Sequence, residues 1–156
     1  MKQSLGLDLI IAFIFLTMQI MLFRHLDILG LQADVMFLFV LWICAHRNRT
    51  YALGIAAVSA LMLDILTDTW GVHLFSKTLL VLGAQRLVSQ QAENKLLPGQ
   101  TFMLILSIAI VYNLVFLLVS SFAGIYDTNL MFIKYWIGNS VYTALVGIIF
   151  YLLTSD

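Results

Sequence analysis

Six apolar runs follow one another along this chain, and little sequence is left between them from which to build anything else. They cover about Leu7 to Phe23, Ala33 to Ala45, Tyr51 to Thr67, Gly71 to Val88, Thr101 to Phe122 and Leu130 to Leu153. A membrane-spanning helix needs about 20 predominantly apolar residues, with a range of about 17–25. The second run is short by that standard and is expected to tilt, thin the bilayer or be partly re-entrant. Of the 156 residues, 62% are hydrophobic and only 10% charged, whereas soluble domains carry about a quarter charged residues. The lipid bilayer is therefore the expected solvent. Hydrocarbon offers backbone polar groups no partners, and nothing in the runs alternates as barrel strands do, so the runs are expected to be helices. The resulting expectation is an all-α, polytopic integral membrane protein. One transmembrane domain spans residues 1–156 as a compact bundle of six helices, the second one short.

The first run follows Lys2 as a secretion signal would, yet Met21, Leu22, Phe23 and Arg24 stand where a small-residue cleavage site belongs. It is read as a retained helix. Orientation follows from basic residues in short loops. With the amino terminus inside, Lys2, Arg47, Arg49, Arg86 and Lys95 fall on the inner side, and Arg24, Lys134 and Lys77 on the outer. The basic loop holding Arg47 and Arg49 is the firmest of these signals. The even helix count then puts both termini in the cytoplasm. Asp27, Asp34, Asp64, Asp68 and Asp127 gather on the outer side. Net charge is zero, which gives no basic field for nucleic acid, and Cys44 is the only cysteine. Pro98 and Gly99 mark a turn that ends any extension of the fourth helix.

The densest polar stretch is "LMLDILTDTWGVHLFSK", Leu61 to Lys77. It reads as a helix end, a tight outer turn and a helix start. Trp70 suits the headgroup level and Gly71 supplies backbone freedom. Asp68 either caps the fourth helix or faces water. Asp64 and Lys77 fall at similar depth in an antiparallel hairpin. An unpaired charge at the membrane centre costs at least about 2.5 kcal/mol on insertion scales, so an Asp64–Lys77 pair is expected. The alternative has Lys77 snorkelling to the surface and Asp64 in wet headgroups. Asp64 and Asp68 share a helix face, but the glycine-rich surroundings expected of an intramembrane diacid protease are missing. His25, His46 and His73 are scattered. No H-E-x-x-H, G-x-S-x-G or P-loop occurs, and the reading is a non-enzymatic protein with no cofactor and no metal.

Small residues recur every fourth position at Ala52, Ala56 and Ala60 of the third helix. Asn139, Thr143 and Gly147 repeat that spacing in the sixth. Such strips let helices approach closely and serve either internal packing or a partner's helix. Asn113 in the fifth helix is expected to find an interhelical hydrogen bond.

The block from Leu31 to Leu87 resembles the MreD family, the small polytopic subunit of the bacterial rod-shape (cell-elongation) system. Its marks are Asp34 opening helix two, Arg47 and Arg49 after it, the Gly/Ala-rich helix ending in L-D-I-L, and Gly71, His73 and Leu74 leading into helix four. Ala33 stands where the family often has proline. The resemblance implies a scaffold or adaptor in the bacterial cytoplasmic (inner) membrane. It would bind the transmembrane segment of a bitopic MreC-like partner and help couple the MreB-type filament to the peptidoglycan synthase complex. The family is also similar in architecture to the substrate-binding subunits of energy-coupling-factor transporters. That implies an alternative role in small-molecule, vitamin-type uptake, with Asp64, His73 and Lys77 lining an outer pocket.

Overall fold

The computed structural model describes residues 5–23, 25–26, 30–92, 97–124 and 132–154. Lys2, Arg24, Asp27, Lys95 and Asp127, which figured in the topology reading, lie outside these. The described residues form helices joined by turns, with no β-sheet among them. Helix α1 spans Leu5–Met18 and runs on into a π-helical turn, Gln19–Phe23. Then come α2 (Val35–His46), α3 (Arg49–Thr67), α4 (Val72–Ala92), α5 (Pro98–Phe122) and α6 (Phe132–Thr154). Four of the six are long and apolar enough to cross a membrane: α1 with its π turn, α3, α5 and α6. Helix α2 has only 12 residues, and α4 is not among the four.

Helix α2 is short because it is the centre of the bundle rather than one of its staves. Val35, Met36, Phe37, Phe39, Val40, Ile43 and Cys44 have no exposed surface at all. A helix apolar on every side is one sheathed on every side, and α1, α3, α4 and α6 all pack against it. Phe37 also meets the Tyr112 ring of α5, with ring centroids 4.8 Å apart. Around this core run two antiparallel hairpins, α3–α4 and α5–α6.

The small-residue strip of α3 lies inside the molecule: Ala52, Ala56 and Ala60 are buried. Gly147 of α6 is a second point of close approach. A methyl group there would stand 2.9 Å from Leu38 Cδ2 and 3.0 Å from Ile105 Cδ1, closer than ordinary contact. Asn113 donates to Ser140 Oγ at 3.0 Å, joining α5 to α6. Pro98 opens α5 as its first residue, where a missing N–H costs nothing. Gln100 Oε1 accepts the Leu97 N–H at 3.2 Å there.

The α3–α4 turn is tight and left-handed. Asp68 ends α3 with φ 56°, and Trp70 and Gly71 follow at φ 47° and 89°. Glycine takes that conformation at no steric cost. For Asp68 and Trp70 it is a strained one.

Candidate functional site

The expected pairing of Asp64 with Lys77 is not what the hairpin holds. Gly71 stands just before α4 and has no side chain to cap it, so the first free N–H groups of that helix need an acceptor from elsewhere. Asp64 supplies it. Its Oδ1 accepts from His73 N at 3.0 Å and from Thr69 Oγ1 at 2.6 Å, and its Oδ2 accepts from Leu74 N at 2.8 Å. A carboxylate at a helix amino end is stabilised by the dipole and by charge-assisted hydrogen bonds, with no cation required. Asp64 therefore fills the capping role considered for Asp68. Asp68 is instead the carboxyl-terminal cap of α3. Trp70 is 87% exposed at the apex of the turn.

Lys77 turns inward. Its side chain has no exposed surface, and its Nζ lies 2.7 Å from Asp34 Oδ2. The Tyr112 hydroxyl accepts from Lys77 Nζ at 2.7 Å and donates to Asp34 Oδ2 at 2.7 Å, closing a three-membered ring of polar contacts. His73 Nδ1 is 3.5 Å from the same ammonium, and its ring lies against Phe116.

Asp34 is the point on which the helices converge. It caps α2, its Oδ1 accepting from Phe37 N at 2.8 Å. Its own N–H donates to Thr143 Oγ1 of α6 at 3.1 Å. Gln19, in the π-helical turn of α1, holds the other free ends of the first turn. Gln19 Oε1 accepts from Val35 N at 2.7 Å, and its Nε2 donates to Ala33 O at 3.3 Å. Side chains from α1, α4, α5 and α6 thus meet at the amino end of α2.

The level of this junction follows from helix geometry. Thr143 is the middle residue of α6, and Tyr112 lies close to the middle of α5. At ~1.5 Å per residue both lie about 15 Å from the nearer ends of α5 and α6, while Lys77 lies five residues, about 7.5 Å, below the start of α4. The amino end of α2 therefore opens inside the bundle, below its α3–α4 end, and α2 runs from there to the opposite end. The chain reaches this depth beside α6. Gly30 lies opposite Tyr135, Leu31 opposite Gly138, and Gln32 N donates to Asn139 Oδ1 at 3.0 Å. Asn139 and Thr143 thus do more than keep a strip small: they bind the backbone of the non-helical stretch before α2.

A second ion pair closes the other end. Arg47, between α2 and α3, makes two parallel hydrogen bonds to Asp8 of α1, each 2.9 Å. Tyr51 Oη donates to Asp8 Oδ2 at 2.8 Å. The fork geometry of guanidinium on carboxylate is the strong form of this contact. Arg49 reaches across instead to Leu82 O of α4 at 3.0 Å.

Sequence reasoning missed Asp8, Gln19, Tyr51 and Tyr112 as partners. The signal available for the first two was their position, an acid and an amide inside an apolar run, where polar groups demand partners. No protein-family model matches the chain, and no significant match was found among characterised proteins or solved structures.

Proposed function

We propose that this chain is a non-enzymatic adaptor of the MreD type in the bacterial inner membrane, a six-helix bundle with both termini in the cytoplasm. In this reading it holds the transmembrane segment of a bitopic MreC-like protein within the rod-shape machinery. One observation carries the proposal: the charged side chains at depth are consumed in fastening helix to helix. Lys77 joins α4 to the start of α2 and to α5; Arg47 and Asp8 join the α2–α3 connection to α1; Asp64 joins α3 to α4. Such a network makes a rigid body whose outer faces are apolar, which suits recognition by helix packing. A six-span topology is compatible with a short α2 because its amino end is reached by the stretch before it.

The seat for the partner's helix in this reading is the groove between α1 and α3, about 230 Å³ in volume. Leu9, Ala12, Phe13 and Leu16 form one wall and Ile55, Val58, Ser59 and Met62 the other. Both walls follow the i, i+3, i+4, i+7 spacing with which a helix face meets another helix. The Ser59 hydroxyl is satisfied by Ala56 O at 3.1 Å, so nothing in the groove needs a polar ligand. Val58→Trp fills the groove from its exposed rim. The expected result is loss of MreC-like partner capture from native membranes with unchanged folded yield. Full capture by this variant overturns the seat. Failure of the unsubstituted chain to capture any such partner overturns the adaptor.

A second reading, a membrane subunit for vitamin-type uptake, draws on the amino end of α2 opening among polar groups inside the bundle, a recurrent setting for transporter binding sites. It predicts a small molecule retained through purification and lost in Asp34→Asn.

A further inference from the structure

We infer that the stretch from Gly30 to Asp34 lines a water-filled crevice, open at the α3–α4 end of the bundle, which brings solvent down to the Asp34–Lys77 pair inside the bundle. The inference rests on the chain being membrane-embedded and not on its being an adaptor.

The stretch is not helical, and it descends beside α6 from the level of Tyr135 to that of Thr143. Eight residues of helix correspond to a drop of about 12 Å. Four steps of extended chain cover about 13 Å, so the segment goes straight down. Gln32 is tied to Asn139, which lies about 10 Å below the start of α6. Gly30 above it and Gln32 itself are exposed, and Asp34 keeps 16% of its side-chain surface open.

Irregular backbone cannot face hydrocarbon, where each unsatisfied N–H or C=O costs several kcal/mol; at membrane depth it is tolerated only inside protein or along a water-filled cavity. The buried side of the stretch is satisfied by protein: Gln19, Asn139 and Thr143 bind the backbone of Gln32, Ala33 and Asp34. The exposed side, at Gly30 and Gln32, then faces water and not hydrocarbon. The crevice ends at Asp34, because Lys77 beneath it is fully covered and Val35 and Met36 are closed off. One face of the ion pair is thereby wet and the other dry.

Thiol accessibility tests this directly. Only the thiolate reacts quickly, and a thiol facing lipid does not ionise. In a Cys44→Ala background, Gln32→Cys is compared with Ile137→Cys, a residue 47% exposed on α6 at similar depth. The chain is reconstituted alone in phosphatidylcholine vesicles and treated with a membrane-impermeant thiosulfonate. Gln32→Cys is expected to react at least tenfold faster than Ile137→Cys, and only with reagent on the α3–α4 side. A smaller ratio, or reaction from the opposite side, overturns the crevice. Hydrogen exchange of the unsubstituted chain in lipid nanodiscs gives a reading free of substitutions. Residues 30–34 are expected to exchange faster than residues 137–143 beside them, and equal or slower exchange overturns the proposal.

Discussion

Lys77 bypasses Asp64 on the adjoining helix and places its ammonium 2.7 Å from Asp34, 43 residues away in sequence. That choice organises the molecule. It frees Asp64 to cap α4 and anchors the amino end of the central helix to its neighbours. It also gives a four-carbon amine a fully buried position that no snorkelling could provide.

Asp64 acts as a cap, so its loss should behave as the loss of one. Asp64→Ala strands the His73 and Leu74 N–H groups and leaves the Thr69 hydroxyl only that of Thr67 as a partner. The expected cost is about 1–2 kcal/mol, the upper range for an amino-terminal cap. Asp64→Asn keeps an acceptor and should cost less. Thermal unfolding in detergent, followed by circular dichroism, measures both. A milder effect for Ala than for Asn would contradict the capping role.

Trp70 holds φ 47° without the freedom of glycine. Non-glycine residues in strained backbone regions cost on the order of 1 kcal/mol or more. Its side chain is 87% exposed, so Trp70→Gly removes strain and little packing. The variant should unfold at a higher temperature in detergent, where headgroup anchoring is absent. A lower unfolding temperature would show that the indole packs more than its exposure implies.

At Gly147, α6 meets Leu38 and Ile105. Overpacking a core costs typically about 1–3 kcal/mol. Gly147→Leu should therefore lower stability by that order, whereas Gly54→Leu on the exposed face of α3 should not, since a methyl group there meets nothing within 4 Å beyond its chain neighbours and its own helix backbone. Equal losses at both sites would mean that helix flexibility, and not close approach, decides the outcome.

Arg47 holds Asp8 with two parallel bonds, which a lysine cannot reproduce. Arg47→Lys should lower the unfolding temperature. The hydrogen bond to Asp8 pushes the Arg47 guanidinium above its ordinary value. A raised cation stabilises the fold fully below its unfolded pKa and loses that contribution only as pH rises through the folded one. The arginine contribution should therefore persist throughout the alkaline range that a membrane protein survives. A stability difference between the unsubstituted chain and the Arg47→Lys variant that vanished anywhere between about pH 6 and pH 9 would contradict this.

The helices were legible because apolar runs of spanning length admit few other structures. The short second run was legible too. Its shortness pointed to a tilted, bilayer-thinning or re-entrant segment, whereas its burial on every side comes from the packing of α1, α3, α4 and α6. The partners of the charges were harder to read. Matching Asp64 to Lys77 by depth along a hairpin treats each charge as seeking the nearest opposite charge. Gly71 was the overlooked constraint, since a helix starting at glycine leaves N–H groups that Asp64 alone is placed to accept. Lys77 then needed a partner from another part of the chain. In the sequence Asp34 reads as an outer-side acid that opens α2, with nothing to tie it to Lys77. Asn139 and Thr143 stood on a strip of small residues by spacing, yet their amide and hydroxyl groups matter more than their size. No helical pattern announces that an extended segment will lie against them.

The Asp34–Lys77 bond is most directly tested by a double-mutant cycle on unfolding free energy with Asp34→Asn, Lys77→Met and both together, run beside a cycle of Asp64→Asn with Lys77→Met. Breaking one side of a buried pair typically costs about 3–5 kcal/mol, and part of that returns when the other side is neutralised as well. The account predicts that the Asp34 cycle is strongly non-additive, with a coupling above about 1 kcal/mol, and that the Asp64 cycle, which links to Lys77 only through His73, shows a clearly smaller coupling. Additivity for Asp34 together with coupling for Asp64 would contradict it and return Lys77 to the hairpin.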